Sequence, residues 1–116
     1  MIRFIYTFLL LLCNLSLANE GALLFNGNCA TCHHLKKASS APTIYEIRSR
    51  YLQAFPQKQN FIEYLSSWVV KPSKETSLMH DKIAKYGLMP ELAFDKESLK
   101  IIAEYLYEGK IEATTH

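Results

Sequence analysis

The sequence predicts an all-α protein with a single domain, and three observations support this fold class. Apolar residues recur at intervals of three and four along most of the 116-residue chain, as they do on one face of a helix. No segment alternates apolar and polar residues convincingly with the period of two that is typical of a half-buried strand. Residues that commonly start or stop helices bound the apolar segments, and the sequence has no internal repeat.

The N-terminus has the pattern of a secretory signal peptide. Met1-Ile2-Arg3 is followed by an almost wholly apolar stretch to Cys13, and Ser16-Leu17-Ala18 supplies the small residues of a cleavage site. We therefore expect residues 1–18 to be removed and the domain to span residues 19–116 in the periplasm. An uncleaved anchor is the alternative, but the apolar stretch is shorter than the roughly 20 residues of a membrane-spanning helix. We expect no stable membrane insertion after cleavage.

The first two helices of this domain are marked by an apolar face and by a cap. The spacing of apolar residues predicts a helix from about Glu20 to Asn28. Thr43 followed by Glu46 predicts a capping box, in which each of the two side chains binds a backbone amide at the start of the second helix. One face of that helix would then carry three apolar residues, Ile44, Ile47 and Tyr51.

Three further helices follow. The third runs from about Gln57 to Val70 and ends before Pro72. The fourth is shorter, from about Leu78 to Tyr86, so that Met79 lies inside it and the glycine that follows ends it. The last begins after the cap Asp95 and ends at Gly109, and its apolar stripe consists of Leu99, Ile102, Ala103 and Leu106.

The segment Cys29-Ala30-Thr31-Cys32-His33 is the most informative motif of the chain. Cys-x-x-Cys-His is the spacing by which a c-type haem is attached. The two thiols would form thioethers with the vinyl groups of one porphyrin, and the histidine would then lie beneath the iron as an axial ligand. The motif therefore predicts one covalently bound haem c, attached through Cys29 and Cys32 and ligated by His33.

The second axial position of the iron decides which function such a haem can have. An open position binds small molecules, whereas a methionine sulfur closes the site and raises the reduction potential, as suits electron transfer. Met89 is the favoured ligand because it follows a predicted helix stop and precedes Pro90, in a loop that can swing the side chain across the haem. Met79 is the less favoured alternative, since a methionine at helical spacing is more often part of a core. His80 lies on a polar stretch and is the remaining candidate.

Three patches of the chain resemble class I cytochromes c. The first is Gly21-x-x-x-Phe25-x-x-x-Cys29-Ala30-Thr31-Cys32-His33, and the second is Ala41-Pro42. The third is Tyr86-Gly87-Leu88-Met89-Pro90, followed by a helix that ends with Ile102-Ala103-Glu104-Tyr105-Leu106. The resemblance implies the small cytochrome c fold, in which four to five helices wrap around one covalently bound haem and the N- and C-terminal helices cross.

The same resemblance implies roles for other residues. Pro42 would accept a hydrogen bond from the ring of His33 through its carbonyl, which would fix the orientation of the imidazole. Trp68 would lie at the haem, where its indole N–H could bind a propionate or where the ring could simply pack. Close approach of the first and last helices would rest on one glycine and the residues that pack around it, Gly21, Phe25, Ile102 and Tyr105.

These expectations combine into an electron carrier, soluble and periplasmic, that passes single electrons between respiratory partners and is not an enzyme. The alternatives are a haem enzyme or gas sensor with an open or labile sixth ligand, and a haem-free thiol protein that uses Cys29 and Cys32. The formal net charge of +2 gives no indication of nucleic-acid binding. A group of lysines could nevertheless ring the exposed haem edge and steer redox partners with acidic docking patches: Lys36, Lys37, Lys71, Lys74, Lys82 and Lys85.

Overall fold

The computed structural model describes residues 2–109 and 111, except for the side chains of residues 10–19. Within this part of the chain all regular structure is helical, which confirms the predicted fold class. The five helices are α1 (Ile2–Asn28), α2 (Ile44–Ala54), α3 (Lys58–Val70), α4 (His80–Tyr86) and α5 (Lys96–Glu108).

Helix α1 ends where the sequence predicts but begins much earlier. The predicted helix from Glu20 to Asn28 is the last third of an unbroken helix that starts at Ile2. The backbone of the predicted signal peptide from Ile2 to Ala18 therefore forms the first part of α1. Met1 and the side chains of residues 10–18 lie outside the described residues. The apolar side chains at its start, such as Phe4 and Phe8, are exposed. No helix within the described residues combines the length and the apolar character that crossing a membrane requires.

Local capping signals place most of the other helix boundaries. The hydroxyl of Thr43 accepts a hydrogen bond from the amide of Glu46 at 3.3 Å, and the carboxylate of Asp95 accepts one from the amide of Ser98 at 2.9 Å. Gly109 ends α5 with φ of 72°, in the left-handed region that favours glycine. The capping box at α2 forms only in part, because the Glu46 side chain pairs with Lys82 instead.

The predicted start of α4 is wrong. The helix begins at His80, and Met79 is its N-cap, with φ of −131° and ψ of 58°. The amide of Met79 donates to the hydroxyl of Ser77 at 3.0 Å, so a local side-chain contact replaces a further turn of helix. Met79 is therefore not on a helix face, and the argument that placed it in a helical core does not apply.

Packing around α5 forms the core. Helix α3 packs most extensively against α5, and α1 also packs against α5, while α2 contacts both α3 and α5. The predicted stripe of α5 is buried, together with Phe25 of α1 and Phe61 of α3. Gly21 is buried where α1 meets α5, and a Cβ atom there would lie only 2.8 Å from the Cβ of Tyr105. The predicted close approach of the first and last helices is therefore present.

Arg48 joins α2 to the C-terminal end of α5. Its Nε donates to the carbonyl of Leu106 at 2.7 Å, and its Nη2 donates to the carbonyl of Tyr107 at 3.1 Å. These carbonyls belong to the last turn, where a helix runs out of its own amides, and the Leu106 carbonyl also accepts from the amide of the cap Gly109 at 3.2 Å. A cation at this end also interacts favourably with the helix dipole. Arg48 thus fixes α2 beside the end of α5, and this contact positions one wall of the cavity described next.

Candidate functional site

An apolar cavity lies between the helices, and it contains most of the residues that the sequence singled out. It encloses about 830 Å³ of empty space, part of which is open to solvent. Most of its wall is aliphatic or aromatic, and its lining includes Cys29, His33, Pro42, Trp68, Met79 and Met89.

The Cys-x-x-Cys-His segment forms a tight turn directly after α1. The amide of Cys29 still donates to the carbonyl of Phe25 at 2.8 Å, so the helical path continues into the motif. The amides of Cys32 and His33 then donate back to the carbonyl of Cys29 at 3.3 Å and 2.9 Å. This turn brings Cys29 and His33 into the cavity lining, whereas the side chain of Cys32 is exposed.

The ring of His33 is oriented by a backbone carbonyl. Its Nδ1 lies 2.9 Å from the carbonyl oxygen of Pro42, which is the contact that the resemblance implies. A carbonyl oxygen can only accept, so Nδ1 carries the proton of this hydrogen bond. In the neutral imidazole Nε2 then keeps its lone pair, which is the state that a metal ligand needs. Ligation of iron by His33 stays a prediction.

The two thiols of the motif differ in their surroundings. Both are free rather than joined in a disulfide. Burial, assisted by the neighbouring Cys32, raises the pKa of the Cys29 thiol to about 11. Cys29 therefore stays protonated at neutral pH and packs as a small apolar group beside the core, while Cys32 is accessible from solvent.

Both methionines of the domain line the cavity. Met79 is 7% exposed, and Met89 is half-buried in the loop that follows α4. Gly87 makes this loop possible, because its φ of 85° and ψ of 170° lie in a region open essentially only to glycine. The chain leaves α4 through this glycine, and Met89 follows two residues later. His80 is exposed at the start of α4 and is not part of the lining.

Trp68 lines the cavity and already has a partner for its indole N–H. The Nε1 atom donates to the carbonyl of Ser73 at 3.1 Å. On the same helix the hydroxyl of Tyr64 donates to the carbonyl of Thr76. These two bonds attach the segment between α3 and α4 to α3, so Trp68 supports the wall that carries Met79. The predicted bond from Trp68 to a haem propionate stays a prediction.

Two polar residues of the lining, Tyr51 and Ser77, were not assigned to the site from the sequence, and Lys82 was expected only as a surface charge at the haem edge. Tyr51 is buried, and this burial, with the nearby Tyr64, raises the pKa of its phenol. Ser77 holds the backbone of Met79, and Lys82 brings a charge to the cavity wall. Helical spacing identified Tyr51 as an inward-facing residue, but no sequence signal distinguishes a residue that lines a cavity from one that packs in a core.

The arrangement is that of a small helical protein that presents a haem-attachment motif at the wall of an apolar cavity. The family model for cytochrome c matches residues 18–109, and the chain belongs to the cytochrome c family. Members of this family bind haem c, typically by covalent attachment, and use it for electron transfer. No curated protein and no solved structure matches the chain significantly.

Proposed function

We propose that the chain is the precursor of an exported monohaem c-type cytochrome that carries single electrons, with His33 and Met89 as the axial ligands of its iron. The observation that carries this proposal is that one apolar cavity contains Cys29, Met89 and the imidazole of His33, with the ring held by the Pro42 carbonyl. The apolar lining suits a porphyrin, and the donors are those that a c-type haem uses. The residues present therefore fit the group.

Each of these residues has a distinct task. The S–H bonds of Cys29 and Cys32 would each add across a vinyl group of the porphyrin. Each addition forms a thioether and needs no oxidant or reductant. The hydrogen bond to the Pro42 carbonyl places the proton of the neutral ring on Nδ1 of His33, so that Nε2 is available as a ligand. The haem supplies one-electron redox chemistry at its iron. The rest of the lining is mostly apolar and lowers the local dielectric around the iron. A low dielectric favours the redox state of the haem that carries the smaller net charge.

A mass measurement on the exported protein tests the proposal most directly. We expect the polypeptide to begin at Asn19 and to carry the additional mass of one haem, because residues 1–18 have a signal-peptide pattern. The family match begins at Ala18, beside the expected cleavage site, which supports this reading. Cys32→Ala should lower the yield of haem-loaded protein, although Cys32 lies outside the cavity lining. A chain without any covalent addition, after expression with the haem-attachment machinery, would contradict the proposal.

The choice of Met89 over Met79 as the sixth ligand rests on the loop that carries it. Met89 follows Gly87 and precedes Pro90 in an irregular segment, so its side chain can reorient at little cost. The backbone of Met79 is instead held by Ser77, and its side chain is already buried. Met79 is a cap residue and not part of a helix face, so its position gives no reason to exclude it as a ligand. Both methionines therefore need to be substituted and compared.

Matched alanine variants separate the two methionines. Met89→Ala should remove the weak near-infrared band that sulfur–ferric ligation produces and should lower the reduction potential, because a sulfur ligand favours the ferrous state. Met79→Ala should leave the band in place and reduce only stability, by roughly 2–5 kcal/mol for a buried methionine. The opposite result, with the band lost in Met79→Ala and kept in Met89→Ala, would reassign the ligand.

A docking surface for redox partners was expected from six lysines, but two of these six have partly engaged charges. Lys82 lies 2.7 Å from the carboxylate of Glu46, and Lys85 lies over the ring of Tyr86, so their charges are partly engaged. Four lysines form no ion pair with any residue in the described part of the chain: Lys36, Lys37, Lys71 and Lys74. We propose that these four attract partners with acidic patches. Electron-transfer rates to such a partner should fall as ionic strength rises, and rates indifferent to salt would exclude this surface.

The alternative is a haem protein in which the sixth position of the iron is open or labile, and carbon monoxide binding distinguishes it from the proposed electron carrier. A closed site with two protein ligands binds carbon monoxide slowly in the reduced state, because one ligand must first leave. Rapid and stoichiometric binding at neutral pH would favour a gas-binding or catalytic haem protein over an electron carrier.

A further inference from the structure

Helix α4 is joined to the rest of the protein by side-chain ion pairs rather than by helix packing. None of its seven residues is buried, and among the described residues no Cα atom of another helix lies within 8 Å of a Cα atom of α4. Two ion pairs link it to α2. Lys82 lies 2.7 Å from Glu46, and Arg50 binds both carboxylate oxygens of Asp81, at 2.9 Å and 2.7 Å.

The two ion pairs join one face of α2 to two adjacent residues of α4. Glu46 and Arg50 are four residues apart, so they lie one above the other on α2. Asp81 and Lys82 are adjacent in the first turn of α4. Each helix contributes one acidic and one basic residue, so the pairing is reciprocal. Two points of attachment resist rotation as well as separation, which a single pair cannot do.

The attachment borders the cavity. Lys82 and Ile83 belong to the lining, as do Ile44 and Ile47 of α2, so the ion pairs bridge two walls of the same space. The side chains of Lys82 and Glu46 are only 21% and 33% exposed, which shields this pair from salt more than a fully exposed pair. The guanidinium of Arg50 meets Asp81 in the two-pronged geometry that gives arginine–carboxylate pairs their directional strength.

The short link between α4 and Met89 limits how far apart the two can lie. The helix ends at Tyr86, and Met89 follows three residues later, a span of at most about 10 Å. A short tether of this kind transmits any displacement of α4 to the loop. The polar bonds of Trp68 and Tyr64 hold the segment on the N-terminal side of α4, and the two ion pairs join the helix itself to α2.

We propose that Glu46 and Arg50 are positioning residues that, through Lys82 and Asp81, hold α4 and keep Met89 closed over the iron. This inference rests on the proposed function, in which Met89 is the sixth ligand. The ion pairs touch neither the iron nor Met89. They act by stabilising the closed arrangement relative to one in which α4 and its loop have moved away and the sixth position is accessible.

Binding of imidazole to the ferric, haem-loaded protein measures how often the site opens. An external ligand can bind only while Met89 is detached, so the observed rate is proportional to the population of the open state. Arg50→Gln and Glu46→Gln should each increase this rate by about twofold to fivefold, and the two together by roughly tenfold, as expected for partly exposed pairs. Amide hydrogen exchange in α4 should accelerate in parallel, while exchange in α3 and α5 should not change.

A third ion pair, with a similar N···O distance, provides the control. Lys96 lies 2.8 Å from Glu63 and links α5 to α3, and neither residue lines the cavity. Lys96→Gln should leave imidazole binding unchanged, although it removes one surface ion pair like the others. Asp81→Asn in the Arg50→Gln background should add nothing to the rate, because the pair is already broken.

The results separate this inference from the proposed function. If the haem-loaded protein retains the near-infrared sulfur band but all variants bind imidazole at the wild-type rate, the positioning role is wrong and Met89 ligation stands. If the wild-type protein has no such band, the proposed ligand set fails instead. An equal acceleration by Lys96→Gln would also refute the inference, because the effect would then reflect general stability.

Discussion

A matched pair of glycines in α1 tests the contact between the first and last helices. An alanine at Gly21 would place its Cβ 2.8 Å from the Cβ of Tyr105 and 3.3 Å from its Cγ, whereas one at Gly27 would have no neighbour within 4 Å. The first contact is shorter than real Cβ atoms tolerate, and the obstacle is the root of a side chain rather than its flexible end. Either α1 or α5 must therefore shift.

The magnitude follows from two opposing terms. Alanine is favoured over glycine inside a helix by up to about 1 kcal/mol, and both sites gain this contribution. Overpacking at Gly21 adds an unfavourable term of about 1–3 kcal/mol. Gly27→Ala should thus stabilise the protein slightly, and Gly21→Ala should be neutral or destabilising by up to about 2 kcal/mol. The difference between the two variants, about 1–3 kcal/mol, isolates the clash.

Urea unfolding of the haem-loaded protein, followed by circular dichroism, measures this difference. In a domain of this size 1 kcal/mol corresponds to a change in Tm of about 4–8 °C, so thermal unfolding gives an independent value. Equal stabilisation by both substitutions would refute the reasoning, because it would mean that the two helices do not approach as closely as the buried glycine indicates. A difference in the predicted direction with an unchanged haem spectrum would support it.

Two further predictions concern the caps of α5. Arg48→Met should lower the free energy of unfolding by about 2 kcal/mol, because two carbonyls of the last turn lose a charged donor. Arg48→Lys should restore part of this loss. A free energy of unfolding for Arg48→Met within about 0.5 kcal/mol of the wild type would contradict the role. The hydrogen bond from the amide of Ser98 holds the pKa of Asp95 below its ordinary value of 3.8. The ionised cap therefore stabilises the fold fully above that pH, and its contribution is lost as the pH falls through the lowered folded-state pKa. Asp95→Asn still caps but cannot titrate, so the fall in urea midpoint between pH 6 and pH 3 should be smaller than in the wild type, and an identical fall would refute the assignment.

Local chemistry explains which parts of the fold the sequence could predict. Thr43 and Asp95 begin helices because their side chains reach amides two or three residues away, and Gly109 ends one because of its backbone freedom. These signals involve only near neighbours in the sequence. The buried face of α5 follows from spacing alone, and all four predicted residues of its stripe are buried.

The predicted start of α4 was wrong for a physical reason, although its end at Tyr86 was correct. Leu78 and Met79 continue the apolar spacing of the helix, but in the structure they face a cavity and precede the helix. Spacing reports which side chains turn away from water, and it cannot report whether they pack on protein or line a binding site. The pairing of Glu46 with Lys82 was equally inaccessible, since it joins residues 36 positions apart that no local pattern connects.

The contacts of the cavity wall suggest how this protein separates stability from ligand control. The core around α5 is apolar, and it depends on α1 and α3. The wall from Ser73 to Met89 is instead attached by polar contacts, namely hydrogen bonds from α3 to Ser73 and Thr76 and ion pairs between α4 and α2. Segments with few buried apolar contacts open at lower free energy than the core does. The proposed sixth ligand, Met89, therefore lies on the part of the chain whose attachment can be tuned by surface substitutions, while the turn that carries Cys29 and His33 remains next to the core.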